Sequence, residues 1–143
     1  MSDVYSMSYE IESGKYNSAG EISKQVKSTL VMFGIDSILI RKIAVCSYEA
    51  EINVIIHSLG GKMTLSVGID DIVVEIDDIG PGIENIELAM SEGYSTASPD
   101  ARRMGFGAGM GLPNMKATCD EFSITSSQED GTHIKMVFYR SEV

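Results

Sequence analysis

Asp78-Ile79-Gly80-Pro81-Gly82-Ile83 follows the apolar run Ile72-Val73-Val74-Glu75-Ile76 and opens a short helical pattern. An Asp at a strand end followed by Gly-x-Gly makes a turn at which backbone can approach a flat ligand, because glycine has no Cβ to hold the ligand off. The carboxylate is a fixed acceptor, suited to an exocyclic amine such as adenine's. The same residues also suit an ordinary strand-to-helix turn, with Asp78 as a cap and the glycines as turn formers. The chain on either side decides between the two.

Upstream of this turn the pattern predicts two strands, Lys62–Gly68 and Asp71–Asp77, after a Gly60-Gly61 turn. Residues 5–12 alternate apolar and polar, which predicts a half-buried strand. Ala19 to Phe33 reads as a helix with Ile22, Val26, Leu30 and Val31 on one face, and Gly34 stops it near its C′ position. Asp36 is placed to cap a longer helix over about residues 37–58. Downstream come a short helix over about 85–92, a loose segment from Gly93 to Gly109 and a helix over about 111–119. Two strands, Glu121–Ser127 and Thr132–Tyr139, end the chain as a hairpin. This order predicts one domain, 1–143, folded as an α/β (α+β) two-layer sandwich with a mixed, mostly antiparallel sheet covered on one face by helices.

At 143 residues one domain can bury a substantial core. The formal net charge of −10 argues against the backbone of DNA or RNA as a partner, because releasing its counterions needs a basic face. No apolar run is long enough to span a bilayer and no signal-peptide pattern opens the chain, so no membrane partner is expected. Cys46 and Cys119 fall in helical patterns without metal-ligand spacing, and read as buried thiols of a reducing, cytoplasmic compartment.

On the second helix, Ala44, Val45, Tyr48, Ile52, Ile55, Ile56 and Leu59 fill one arc at ~100° per residue. Glu49 and Asn53, spaced i and i+4, fall together at its rim. A carboxylate beside an amide at a cleft edge suits two tasks. Asn53 can offer its carbonyl oxygen to Mg²⁺, and Glu49 can take a proton from an attacking hydroxyl or water. Glu51 falls on the outer face and reads as a surface residue. His57 reads as a packing or hydrogen-bonding residue, not a phosphate acceptor.

The segment Met104-Gly105-Phe106-Gly107-Ala108-Gly109-Met110-Gly111-Leu112-Pro113 has glycine at alternate positions, which no strand favours. It fits neither a dinucleotide fingerprint nor a P-loop. It does run into a helix N-terminus, where free N–H groups suit phosphate, and its glycines suit a closing lid. Arg102 and Arg103 stand just before it.

In order, the chain carries Glu49-x-x-x-Asn53, Asp78-x-Gly80-x-Gly82, Gly109-x-Gly111-Leu112 and a Gly131-Thr132 pair. The set resembles the sequence boxes of the GHKL, or Bergerat-fold, ATPases over about residues 40–140. Within that superfamily it is similar to the small stand-alone anti-sigma-factor serine/threonine kinases of the RsbT, RsbW and SpoIIAB type. The likeness extends to Gly93-Tyr-Ser-Thr96 and to Asp120-Glu121-Phe122. The stretch between Thr96 and Gly111 departs from it by an added Ala-Ser-Pro-Asp-Ala-Arg-Arg segment.

The resemblance implies ATP and Mg²⁺ as cofactors. It implies nucleotide contacts from Asn53, Asp78, Gly80, Gly82, Ile83, Gly105, Gly107, Gly109, Met110, Gly111, Leu112 and Thr132. Asp78 would take the adenine amine with help from Thr132, Asn53 would hold Mg²⁺, and Glu49 would be the general base for a serine hydroxyl. The implied function is transfer of the γ-phosphate to a STAS-type antagonist protein in a partner-switching module. A sigma factor, a phosphatase and a second copy of the chain are the further partners implied. Two alternatives stand beside it: a nucleotide-dependent partner-binding module without transfer, and an orphan ATPase subunit of a split sensor kinase. With no upstream dimerisation helix bearing an acceptor His among these residues, a whole sensor histidine kinase is not expected, nor is the second domain of a gyrase or chaperone ATPase.

Overall fold

A computed structural model of the chain describes residues 5–80, 90, 111–127 and 129–140. Five strands are described: β1 (Tyr5–Ile11), β2 (Gly61–Val67), β3 (Asp71–Asp78), β4 (Glu121–Ser127) and β5 (Gly131–Tyr139). They form one sheet in the order β1-β2-β3-β5-β4. Three helices accompany it: α1 (Glu21–Met32), α2 (Ser37–His57) and α3 (Gly111–Thr118). Every pairing is antiparallel, so the mixed character expected of the sheet is absent among the described strands. The expected helix over 85–92 and most of the glycine-rich segment lie outside the described residues.

Strand alternation explains the two layers. Met63, Leu65 and Val67 on β2, Ile72, Val74 and Ile76 on β3, and Ile134, Met136 and Phe138 on β5 point to one face. There they meet Ile22, Val26 and Leu30 of α1, Ile43, Cys46, Ala50 and Val54 of α2, and Met115 of α3 in a single core. The other face carries polar rows read directly from the register, such as Glu10, Lys62, Asp77 and His133. His133 Nδ1 lies 2.5 Å from Asp77 Oδ1 on this open face.

The turn between α1 and α2 follows from its sequence. Gly34 takes φ +70°, a left-handed conformation that glycine adopts without strain. Its N–H reaches Val31 O at 3.0 Å, and the N–H of Ile35 reaches Leu30 O at 3.1 Å, so the last carbonyls of α1 are satisfied. Asp36 then accepts from the N–H groups of Ile38 and Leu39 at 3.1 and 3.3 Å, as a cap of α2 should.

Some expectations about faces are corrected. Glu51 is not a surface residue; it is 1 % exposed. Its Oε2 accepts from Gly20 N at 3.0 Å and Ile22 N at 3.4 Å, and its Oε1 from Ser23 N at 3.1 Å. A helical wheel drawn for α2 alone does not contain the neighbouring helix whose N-terminus needs an acceptor. Leu59, expected on the buried arc, is 71 % exposed because α2 ends at His57. Val45, Tyr48 and Val31 are likewise exposed. Cys119 lies just past the end of α3 and is half-buried.

Candidate functional site

Glu49 and Asn53 sit one turn apart on α2, both half-buried, where the N-terminus of α3 comes in. Gly111, the first residue of α3, is the point of contact. A Cβ placed on it would stand 3.1 Å from Glu49 Oε2 and 3.3 Å from both Asn53 Nδ2 and Oδ1. A larger residue there would push the two side chains apart. The backbone of α3 therefore starts against the carboxylate and the amide, with its free N–H groups at the same place. Leu112 and Met115 anchor the helix behind this point in the core.

Burial pushes the Glu49 carboxyl above the ordinary glutamate range, with no hydrogen bond pulling it back. A carboxylate stripped of water without a compensating donor is a stronger proton acceptor than one in bulk solvent. Tyr48 beside it is also pushed up, first by burial and then by the Glu49 charge.

A second cluster forms where β3 ends and β5 begins. Asp78 closes β3, opposite Gly61 on β2. The N–H of Thr132 donates to Asp78 Oδ1 at 2.7 Å. The Thr132 hydroxyl pairs with Ser126 Oγ at 2.8 Å. Gly131 holds φ +76°, and a Cβ on it would stand 2.5 Å from Gly80 N and 2.7 Å from Asp78 Oδ1, and would strike the Asp78 carbonyl. No side chain fits there, so the close approach of the β3 end and the β5 start requires glycine. Burial raises the Asp78 carboxyl, the Thr132 N–H bond lowers it, and the Asp77 charge adds a smaller upward push.

Of the residues singled out in the sequence, Glu49, Asn53 and Gly111 come together, and Asp78, Gly80 and Thr132 come together. Gly82, Ile83, Gly105, Gly107, Gly109, Met110 and both arginines, Arg102 and Arg103, lie outside the described residues. Two residues were missed. Ser126 is one of many exposed hydroxyls to a sequence reading, and its partner is six positions away across a hairpin. Gly61 backs onto Asp78 with no room for a Cβ, which would stand 2.7 Å from Asp77 O; its sequence signal was the Gly60-Gly61 pair, read only as a turn. Among the described residues, no group of three or more His, Cys, Asp or Glu side chains is placed to hold a metal ion.

Residues 40–142 match the family described as histidine kinase-, DNA gyrase B-, and HSP90-like ATPases. The chain belongs to this ATPase family. Membership implies ATP use. The ATPase is also similar to curated proteins. It is 40 % identical over 93 residues to an anti-sigma F factor of Clostridium acetobutylicum, covering 62 % of each chain. It is 36 % identical over 96 residues to the anti-sigma F factor of Caldanaerobacter subterraneus subsp. tengcongensis, covering 64 % of each. It is 39 % identical over 61 residues to the serine/threonine-protein kinase RsbT of Bacillus subtilis, covering 43 % of this ATPase and 40 % of RsbT. The matches thus span less than two thirds of the relatives' own length. No helix among the described residues is long and apolar enough to cross a membrane.

Proposed function

We propose that this ATPase is a serine/threonine protein kinase that phosphorylates a STAS-type antagonist protein and acts as an anti-sigma-type regulatory switch in the cytoplasm. The observation that carries the reading is the meeting of Gly111 with both Glu49 and Asn53. A module that only held nucleotide would have no use for a desolvated carboxylate beside the phosphate-facing helix end. The names of the similar proteins support the same reading.

In this reading the residues of both clusters would hold ATP. Asp78, fixed by Thr132, accepts from the adenine amine. Gly80 leaves space along the base, as Gly82 and Ile83 are expected to do. The N–H groups that open α3 at Gly111 and Leu112 face the phosphates, together with those expected from Gly105 to Met110. Bound Mg-ATP supplies an electrophilic γ-phosphoryl group. Asn53 would offer its amide oxygen to the metal, Glu49 would take the proton of the incoming seryl hydroxyl as its oxygen bonds the γ-phosphorus, and ADP would leave as the bond from the γ-phosphorus to the bridging oxygen breaks. Positioning and charge stabilisation supply the remainder of the catalysis, as is general for phosphoryl transfer.

The test is transfer of label from γ-labelled ATP, with Mg²⁺, to each STAS-domain protein encoded in the same genome. Acid-stable label on one of them, lost in Glu49→Ala while ATP binding persists, is the expected result. ATP binding without transfer would leave a nucleotide-dependent partner-binding module. Acid-labile label on a histidine would indicate a subunit of a split sensor kinase.

A further inference from the structure

The chain is strongly acidic, yet one stretch is not. From Ile22 to Tyr48 there are four basic residues, Lys24, Lys27, Arg41 and Lys42, and one acidic residue, Asp36. The Asp36 carboxylate is engaged in capping α2. The whole α1–α2 hairpin, Glu21–His57, is balanced, with Glu21, Asp36, Glu49 and Glu51 against those four, so the positive charge is local: Arg41 and Lys42 stand together on the first half of α2, with no acidic residue from Ser37 to Tyr48.

The first half of α2 is also apolar along one line. On α2, Ile38 is 64 %, Val45 47 % and Tyr48 37 % exposed, and Arg41 and Lys42 are exposed between them. At ~100° per residue, these five positions and Glu49 fall within about 120° of arc. The row is therefore a single stripe, ~15 Å long from Ile38 to Tyr48 at the helical rise, and it runs into Glu49. A row of alternating apolar and basic side chains leading to a proton acceptor has the form of a docking track.

We infer that the N-terminal half of α2 is the docking surface for a protein partner that presents an acidic amphipathic helix. Its apolar row covers Ile38, Val45 and Tyr48, its carboxylates pair with Arg41 and Lys42, and the acceptor hydroxyl is thereby delivered to Glu49. The inference rests on the kinase reading for the last step only. Charge complementarity here steers encounter and fixes register, while the apolar row supplies the desolvated contact.

The experiment compares the wild-type chain with Val45→Asp and with the double variant Arg41→Glu/Lys42→Glu. The probe is the STAS-domain protein that accepts label. The expected result is a rise of about tenfold or more in KM for that protein, with kcat and the affinity for an ATP analogue unchanged, and a weaker dependence of KM on salt in the double variant. An unchanged KM in both variants overturns the inference. A photo-crosslinker at position 38, with one at position 62 on the open face of the sheet as control, reads the surface without catalysis. Crosslinking from 38 alone supports the surface even where no phosphate is transferred, in which case only the kinase reading fails. Crosslinking from neither position, or equally from both, overturns it. Binding of phosphatidylserine-containing vesicles through Arg41 and Lys42 would assign this surface to a membrane and overturn the protein partner.

Discussion

The N–H of Thr132 holds Oδ1 of Asp78 at 2.7 Å, across 54 residues of chain. This bond fixes the carboxylate at the junction of β3 and β5, two strands paired along their length. An asparagine keeps the oxygen acceptor and an alanine does not. Asp78→Asn should therefore fold with near wild-type stability and lose at least tenfold in ATP affinity. Asp78→Ala should lose the same affinity and about 1–2 kcal/mol of stability besides. Calorimetric titration with an ATP analogue and denaturant unfolding of both variants separate the two effects.

Gly131 is the position least tolerant of a side chain. A Cβ there meets Asp78 and Gly80, and its φ of +76° is unfavourable for any other residue. Gly131→Ala should cost about 1–3 kcal/mol. It should also weaken nucleotide binding, because relief of the clash moves Asp78. Retention of both stability and affinity would show that the β3–β5 junction has slack.

The carboxylates of α2 should behave oppositely when removed. Glu51 caps α1 with hydrogen bonds to Gly20, Ile22 and Ser23. Glu51→Ala leaves those donors unsatisfied and should cost about 2–3 kcal/mol. Glu49 is raised by burial alone. Its folded state binds the proton more tightly than the unfolded state, so its charged form detracts from stability. That penalty grows as pH rises from the ordinary glutamate range through the raised value, and is constant above it. Glu49→Gln should accordingly unfold at a higher denaturant midpoint than wild type at pH 7 and show a flatter stability profile in the acid range. Unfolding midpoints of the three proteins from pH 4 to pH 8 provide the check.

Cys46 is almost fully buried, and burial pushes its thiol up to about 12. Cys119 is half-buried and also raised by burial, though less exposed to that effect. Thiolate is the reactive form. Iodoacetamide at pH 8 should modify Cys119 slowly and leave Cys46 intact until the chain unfolds, as peptide mapping of the alkylated protein would reveal.

The sequence made the helices and strands legible to within a residue or two wherever their signals were local. Gly34 and Asp36 marked the α1–α2 turn, apolar–polar alternation marked β1, and an apolar run marked β3. The pairing of Glu49 with Asn53 was legible because a helix puts i and i+4 side by side. Glu51 was misread because its partner is another helix's N-terminus, a relation of tertiary structure that no single-helix periodicity contains. Ser126 and Gly61 were missed for the same reason: each matters through a neighbour on an adjacent strand. The orientation of α3 against α2 depends on Gly111 having no side chain, and a glycine in a run of glycines does not announce which one makes the contact.

The two clusters are built on mechanically different supports. Asp78 and Thr132 stand at the end of the antiparallel β3–β5 ladder, whereas Glu49, Asn53 and Gly111 meet where two helices come together. Ladder amides open reluctantly and helix packing slides more readily. A ligand spanning both would be gripped at one end by the stiff support and sensed at the other by the compliant one. Losing a terminal group from that ligand would remove contacts at the α2–α3 end and leave those at the sheet end in place.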